Sequence, residues 1–516
     1  MTARAMTPYR SQAAAGRESF WHLVHAEWTK FRTVRGWMIA MIVAVMAITA
    51  FVFLASNVSS SCSGSACPAP PTGPGGEPVQ DAFYFAHQPL TGNGTITVQM
   101  TSLVGQVAVG PSQTVPGLQP WSKAGIIIKQ NTSQGSAYAA MMTTGSHGVR
   151  MQWDYVNDTP GLTGSVSAAS PRWLRLVRDG ATITGYDSAD GTHWTLAGTA
   201  TLPGLTSTVQ AGLFAAAPSN GNTATATGIF RHIGLSWTAA RWTGTNVGGS
   251  GPNGVPQPGT LRQSAGTITV TGSGDITPLA GDGSVLSLQR ALAGTPIGLI
   301  PLIVVGAMFI TAEYRRGLIR VSLTASPRRG RLLAAKAVVI GAVSFVTGLF
   351  AAALAVAVGA RILAGTGVPL WPVPALSLAR MLVGTGALLA VAAVLALAVG
   401  TAARRSATAV AAAIVVIFVP YLLVLVPPLL PGHVGRGGFG GGGLSLVARE
   451  WLLRITPAAG FSVQQVVPQF SQVAGASYSP NWGYYPLAPW TGFAVECAWA
   501  AVALALAFYL LRRRDA

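Results

Sequence analysis

Apolar positions along this chain fall into two patterns, long unbroken runs and short alternating stretches, and the two are segregated. Six unbroken runs lie near Trp37–Ala55, Leu292–Ala312, Ala337–Ala360, Met381–Ala403, Ser406–Leu430 and Trp490–Leu511. Each is long enough to cross a hydrocarbon core about 30 Å thick at about 1.5 Å per helical residue. Only Arg404 and Arg405 separate the fourth run from the fifth, which predicts a tight antiparallel hairpin. Pro420, Pro427 and Pro428 predict a kink or an end in the fifth run, because each proline removes a helix donor. Ahead of the first run, Phe20, Val24, Trp28 and Phe31 recur at helical spacing while Arg17, Glu18, Lys30, Arg32 and Arg35 stay polar. That pattern predicts an amphipathic helix in the membrane interface, with Trp21 and Trp28 at headgroup level. The charged leader before the first run, with Glu18 and Glu27, argues against a cleaved signal peptide.

Between the first two runs the period changes to two. Thr95–Met100, Gly125–Lys129, Val149–Tyr155, Arg172–Val177, Ala181–Tyr186 and Val209–Phe214 alternate apolar with polar, and turn residues interrupt them. This predicts an all-β sandwich over 81–240. Pro68–Val79 and Thr243–Gly259 read as linkers, and 265–290 as a short extended return to the membrane. The chain thus divides into an interfacial tail (1–36), a first span (37–55), a linker (56–80), the sandwich (81–240), a return segment (241–290) and the remaining spans (291–516). In the last part, 313–336 is a loop and 431–489 a second loop, which carries an amphipathic stretch at Leu444–Ile455 after the glycine run Gly437–Gly443.

Charge assigns the sides. Of 516 residues, 50% are hydrophobic and only 9% charged, yet the net charge is +18. The 56–290 segment is nearly balanced, with ten Lys/Arg against nine Asp/Glu, so the excess flanks the apolar runs. Such a distribution marks membrane topology and not a phosphate-binding face, which excludes nucleic acid as a partner. The loop from Glu313 to Lys336 carries Arg315, Arg316, Arg320, Arg328, Arg329 and Arg331. At about 2.5–3.5 kcal/mol per buried charge it cannot stay in hydrocarbon. This loop, the N-terminal tail, Arg404/Arg405 and Arg512-Arg513-Arg514 hold most of the basic residues, while the opposite side has Arg361, Arg380, Arg436, Arg449 and Arg454. Both termini are therefore expected in the cytoplasm and the sandwich outside it. The expected fold class is a polytopic α-helical membrane protein of six spans with an extracytoplasmic all-β sandwich between spans one and two.

Candidate chemistry is sparse. The dipeptide Gly-Lys never occurs, so the chain carries no phosphate-binding loop and is not expected to be an enzyme. Glu496 is the one acid well inside a run, and it reads as a polar residue facing the bundle or outer water more readily than as an ion-coupling group. Cys62 and Cys67 flank a short Ser/Gly loop on the outer side, where a disulfide and two free thiols are both compatible with the spacing; Cys497 packs in the last run. Among Asp154, Asp158, Asp187 and Asp190 no closely spaced pair of glutamates suggests glycoside hydrolysis.

Three stretches carry a family resemblance. His25-Ala26-Glu27-Trp28-Thr29-Lys30-Phe31-Arg32, Phe309 through Arg320 with its continuation Ala325-Ser326-Pro327-Arg328-Arg329-Gly330-Arg331, and the ending Leu511-Arg512-Arg513-Arg514-Asp515 resemble permeases of the type-2 ABC export family, in an actinobacterial form. The resemblance covers 18–55 and about 260–516. It implies six helices forming half of a dimeric unit, homo- or heterodimeric. It also implies a separate ATP-binding subunit, holding the ATP and Mg, that docks on the interfacial helix and on the loop after the second span. Carried over, Glu27, Trp28, Lys30, Glu313, Tyr314, Arg315, Arg316 and Arg320 would lie at the coupling surface, with Ser326-Pro327 ending the coupling helix.

The alternating region resembles concanavalin-A-like lectin/glucanase sandwiches through Trp121–Ile126, Trp173–Leu176 and Gly185–Trp194. The last stretch is also loosely similar to an Asp-box hairpin, with Trp194 expected to pack back on the sheet. Such sandwiches bind glycans, so Trp153, Tyr155 and Tyr186 are candidates for stacking on sugar rings. The expectation is a bacterial plasma-membrane permease subunit, in contact with lipid and driven by a partner ATPase. The alternative is a membrane-anchored lectin-like receptor without transport activity, for which one span would suffice.

Overall fold

The structure is a computed structural model that describes residues 19–56, 69–110, 113–218, 223–248, 258–280, 285–315, 317, 328–365, 369–425, 446–473 and 483–513. Helix α1 (Phe20–Thr33) is capped by the Ser19 hydroxyl, which accepts from the Trp21 amide. Val34 then turns extended and breaks the run, so that α2 (Arg35–Ser56) leaves in a new direction as the first apolar helix. After the β region come a 3-10 turn (Leu288–Leu292), α3 (Thr295–Arg315), α4 (Arg329–Ala364), α5 (Ala375–Ala403), α6 (Ser406–Ile417), α7 (Val419–Leu425), α8 (Leu446–Ile455), a second 3-10 turn (Pro457–Gln464) and α9 (Pro489–Arg513).

Among the described residues, five helices are long and apolar enough to cross a membrane. The expected Ser406–Leu430 span is the exception, since α6 stops after 12 residues and α7 restarts at Val419. Proline is the reason: Pro420 offers no amide to the carbonyl four residues back, so the ladder lapses where the chain passes from α6 to α7. Residues 426–430 lie outside those described.

Helix α5 is the centre of the bundle, and it crosses α3 through small residues. A Cβ on Gly306 would sit 2.5 Å from the Ala393 carbonyl, and one on Gly400 would sit 2.7 Å from that of Ala307. Without those side chains the two backbones approach closely, which is how apolar helices gain packing where no water drives them together. The Pro457–Gln464 turn is buried along its whole length and folds back into the bundle beside α5 and α9. The amphipathic stretch expected at Leu444–Ile455 is α8.

The β region is two facing antiparallel sheets. One runs Thr243–Val247, Phe83–Thr91, Thr208–Ala216, Lys123–Lys129, Tyr138–Thr144, Val149–Trp153 and Asn157–Pro160 from edge to edge. The other runs Thr195–Thr201, Thr182–Ser188, Arg172–Asp179, Gly94–Gly110, Ala224–Leu235, Thr267–Gly272 and Thr260–Ser264, with Gln113–Pro116 paired beside Gly94–Gly110. Ile126, Met141, Leu174, Leu213 and Phe230 fill the space between them. The strands overrun the expected 81–240 boundary: stretches read as linker and return segment supply Thr243–Val247, Thr260–Ser264 and Thr267–Gly272.

A third layer covers the seven-stranded sheet. Val79–Asp81 pairs with Ile276–Pro278 as a short ribbon, and a second core that includes Phe83, Phe85, Ile127, Tyr138 and Phe214 lies beneath it. Lys123–Lys129 and Tyr138–Thr144 are consequently buried at every residue and not on alternate ones. The same ribbon sets the entry and exit of the region side by side, Val79 opposite Pro278. Among the described residues, one loop supplies hydrogen bonds between this region and the membrane part. The Ser471 hydroxyl donates to Asp158 at 2.6 Å, the Gln472 amide donates to the Tyr155 carbonyl at 2.7 Å, and the Thr277 hydroxyl donates to the Gln472 carbonyl at 3.5 Å.

Candidate functional site

Four charged side chains from three helices converge where α1 meets the ends of α3 and α4. Lys336, fully buried on α4, donates to Glu27 Oε2 and to Glu313 Oε1, each at 2.7 Å. Lys30 reaches the same two acids, Glu27 Oε1 at 2.7 Å and Glu313 Oε1 at 3.1 Å. Two cations therefore face two anions, and both acids are nearly as buried as Lys336. An unpaired charge at this depth would be expensive, and mutual pairing is what allows all four to persist. Burial works to lower the Lys30 pKa, but the hydrogen bonds and charges of Glu27 and Glu313 outweigh it and leave the value raised.

Aromatic rings seal the cluster. Lys336 Nζ lies 4.7 Å from the centre of the Phe309 ring. Phe31 and Trp37 pack edge-on or tilted against Phe309 and one another, at 5.1–5.9 Å between centroids. The phenylalanine that continues the apolar face of α1 thus lands on α3, and Glu27, one turn earlier on the same face, goes inward with it. Helical geometry turns Glu27 to that side, since it stands one turn before Phe31 and three residues after Val24 on one face; what it meets there is decided by packing.

Of the eight residues expected at a coupling surface, Glu27, Lys30 and Glu313 meet in this cluster and are not an open docking face. Trp28 is 40% exposed, stacked on Phe31, and Arg315 is exposed. Tyr314 lies under the Arg404 guanidinium, 5.5 Å from ring centre to carbon. Arg316 and Arg320 lie outside the described residues, as do Ser326-Pro327 and the Cys62–Cys67 loop. Lys336 is the member that sequence reading missed; it was only the end of a basic loop. A signal did exist, because it is one of four lysines in the chain and stands four residues past Leu332, where the apolar part of α4 begins.

In the β region the expected stacking residues are corrected. Tyr155 is fully buried and donates its hydroxyl to Asp81 at 2.6 Å, beside Lys129, which donates to the same carboxylate at 2.7 Å. Burial and the neighbouring Asp81 push the Tyr155 phenol far above its usual value, while burial pulls the Lys129 ammonium down against the attraction of Asp81. Trp153 packs into the core between the sheets. Tyr155 fails as a sugar platform because the ribbon covers it, while Trp153 is partly buried against that core. Tyr186 stays half-buried opposite Arg175, whose guanidinium lies 3.7 Å from the centre of the Trp194 ring.

The candidate acids are likewise occupied. Asp158 binds Arg150 and Ser471, and Asp190 caps the amides of Thr192 and His193 at 2.8 Å each within its hairpin. Asp187 accepts from the Leu162 amide, and Asp154 from that of Tyr138. In the last apolar helix, Glu496 is buried against the Pro457–Gln464 turn, where only the absence of a side chain at Gly460 makes room for its carboxyl.

Comparison with known proteins places the whole arrangement. A family model described as ABC-2 family transporter protein matches residues 21–516. No curated protein matches the chain. Solved structures align weakly with part of it. A functionally unknown protein from Saccharomyces cerevisiae is 14% identical with a TM-score of 0.21, over 31% of this chain and 76% of that one. Scytalido-glutamic peptidase with a transition state analog inhibitor is 7% identical with a TM-score of 0.25, over 37% and 98%. The GH43 protein BlXynB of Bacillus licheniformis is 15% identical with a TM-score of 0.17, over 24% of each chain. The family model spans the apolar helices and the charged cluster alike, and this multi-pass membrane chain belongs to the ABC-2 family of transporter proteins, the membrane permeases of ABC transporters.

Proposed function

We propose that the chain is the membrane subunit of an ABC exporter, with both termini and the 316–328 connection between α3 and α4 in the cytoplasm and the β sandwich on the outer side. Glu313 and Lys336, expected in the loop, belong to the flanking helices. A separate ATP-binding subunit, which family membership implies in general, docks at the arginine-rich end and supplies the ATP and Mg that this chain has no loop to hold. The unit is a dimer, of two copies or of this chain with a related permease. Export is the direction that the resemblance implies.

The observation that carries the reading is the Lys336 cluster. It ties the interfacial helix α1 to the two helices that flank the basic loop, so a push on α1 or on the loop is passed to α3 and α4 as one body. Exposed Trp28 and Arg315 border the cluster and are the groups positioned to meet the partner; the resemblance assigns Arg316 and Arg320 to the same role. Glu27, Lys30, Glu313 and Lys336 act behind it, as positioning residues.

Co-purification with the co-expressed ATPase, together with nucleotide hydrolysis, tests the division of labour. Arg315→Glu with Arg316→Glu is expected to abolish association. Lys336→Gln is expected to leave association intact and uncouple hydrolysis from transport. Unchanged association and transport in both variants would overturn the assignment.

A further inference from the structure

The start of α4 and the end of α9 lie side by side at the arginine-rich end of the bundle. Arg329 Nη1 donates to the Leu511 carbonyl at 2.6 Å, and Gly330 sits so close to the Phe508 ring that a Cβ there would come within 2.5 Å of it. Beyond this contact the two helices diverge and leave a groove of about 1100 Å³. Arg328, Arg329, Arg331 and Arg512 line one end of it, while Ala337, Val338, Leu504 and Phe508 line the rest. Arg512 is held over the Phe508 ring, 4.2 Å from its centre. Among the described residues, no acid lines the groove.

We propose that this groove binds an anionic phospholipid, its phosphate on the arginines and one acyl chain along the apolar wall. The inference rests on these helices being membrane spans, not on the export reading. Three observations commit the groove to that occupant. The charged end comes where the apolar stretches of α4 and α9 give way to arginine, which is the depth of a headgroup. The charge is of one sign, and guanidinium forks match phosphate oxygens in pairs. The wall runs from that end into the span and presents carbon throughout, which a soluble anion would leave uncovered. The volume exceeds the range of about 300–1,000 Å³ common for small-molecule sites, and basic pockets between spans recognise acidic headgroups in general.

The test is native mass spectrometry of the full chain titrated with phosphatidylglycerol or phosphatidylcholine. Wild type is expected to retain phosphatidylglycerol in preference. Arg328→Gln with Arg512→Gln should weaken that retention by about tenfold or more and leave phosphatidylcholine unchanged. Ala505→Trp fills the groove without altering charge and should abolish retention of both, whereas Arg405→Gln, at the same end but off the groove, should behave as wild type. A thermal melt identifies any variant that fails to fold, and the charge pair still decides the matter if the tryptophan variant does. Equal phosphatidylglycerol retention in wild type and the arginine pair would overturn the proposal. Displacement of the lipid by equimolar inorganic phosphate would also overturn it, as would loss of a dimer in Ala505→Trp with the lipid count unchanged.

Discussion

At the scale of the residue, what distinguishes this chain is how it handles charges that have left water. Lys336 holds two buried carboxylates, so Lys336→Met would leave two acids to Lys30 alone. Breaking a buried pair from one side costs about 3–5 kcal/mol, which a melt of the purified protein should register as a large fall in Tm. Removing the acids as well, by Glu27→Gln and Glu313→Gln, should recover much of the loss. The pH dependence has a definite sign. The folded pKa of Lys30 is raised, so its contribution is fully present below the unfolded value of about 10.4 and is lost only as pH climbs through the folded one. Melts between neutral pH and about pH 10 should therefore show no loss attributable to Lys30. In the β region, Tyr155→Phe removes a hydroxyl that satisfies Asp81, at a cost of about 1–3 kcal/mol, and should leave any glycan binding untouched because the ring is covered.

At the scale of the element, backbone approach and backbone interruption decide the bundle. The α3–α5 crossing exists because Gly306 and Gly400 present no side chain. Gly306→Val must push α5 away, and overpacking of this kind costs about 1–3 kcal/mol. Its check is a melt alongside Gly341→Val, which stands in a roomier place, 3.4 Å from the tip of the Val394 side chain, and should cost less. The break between α6 and α7 has the opposite cause, a missing donor and not a missing side chain. The strands make the same point in another form: KAGIIIK is buried on both faces because a ribbon from either end of the insertion lies across it.

At the scale of the whole molecule, the β region is an insertion whose two ends meet. Val79 and Pro278 are ladder partners, so excising 79–278 and closing the gap with a short Gly/Ser link should leave the helices able to fold. Retained co-purification with the ATPase would show this, and its loss would mean the sandwich supports the bundle. The link between the two parts runs through Asp158, Gln472 and Thr277. Burial opposes ionisation of Asp158, but hydrogen bonds from Arg150 and Ser471 and the charge of Arg150 prevail and hold its carboxyl below the usual value. Its contribution is present above the unfolded value of about 3.9 and fades as pH falls through the depressed one. Hydrogen exchange in 457–473 should thus stay protected at pH 5 and rise below about pH 4.

Five of the six apolar runs, the helix ahead of the first and the alternating region are legible along the chain, because each depends on a local periodicity. Those constraints act within a few residues and need no partner. The cluster was legible only in part: Glu27, Lys30 and Glu313 came from motif resemblance, while their burial and their meeting at Lys336 depend on residues about three hundred positions apart. The same holds for Tyr155, whose aromatic ring suits a binding face equally well until Val79–Asp81 is laid over it. Period and hydropathy say which side of an element avoids water, and only the packed structure decides what covers that side, because covering is a property of pairs of elements and is written in neither one alone.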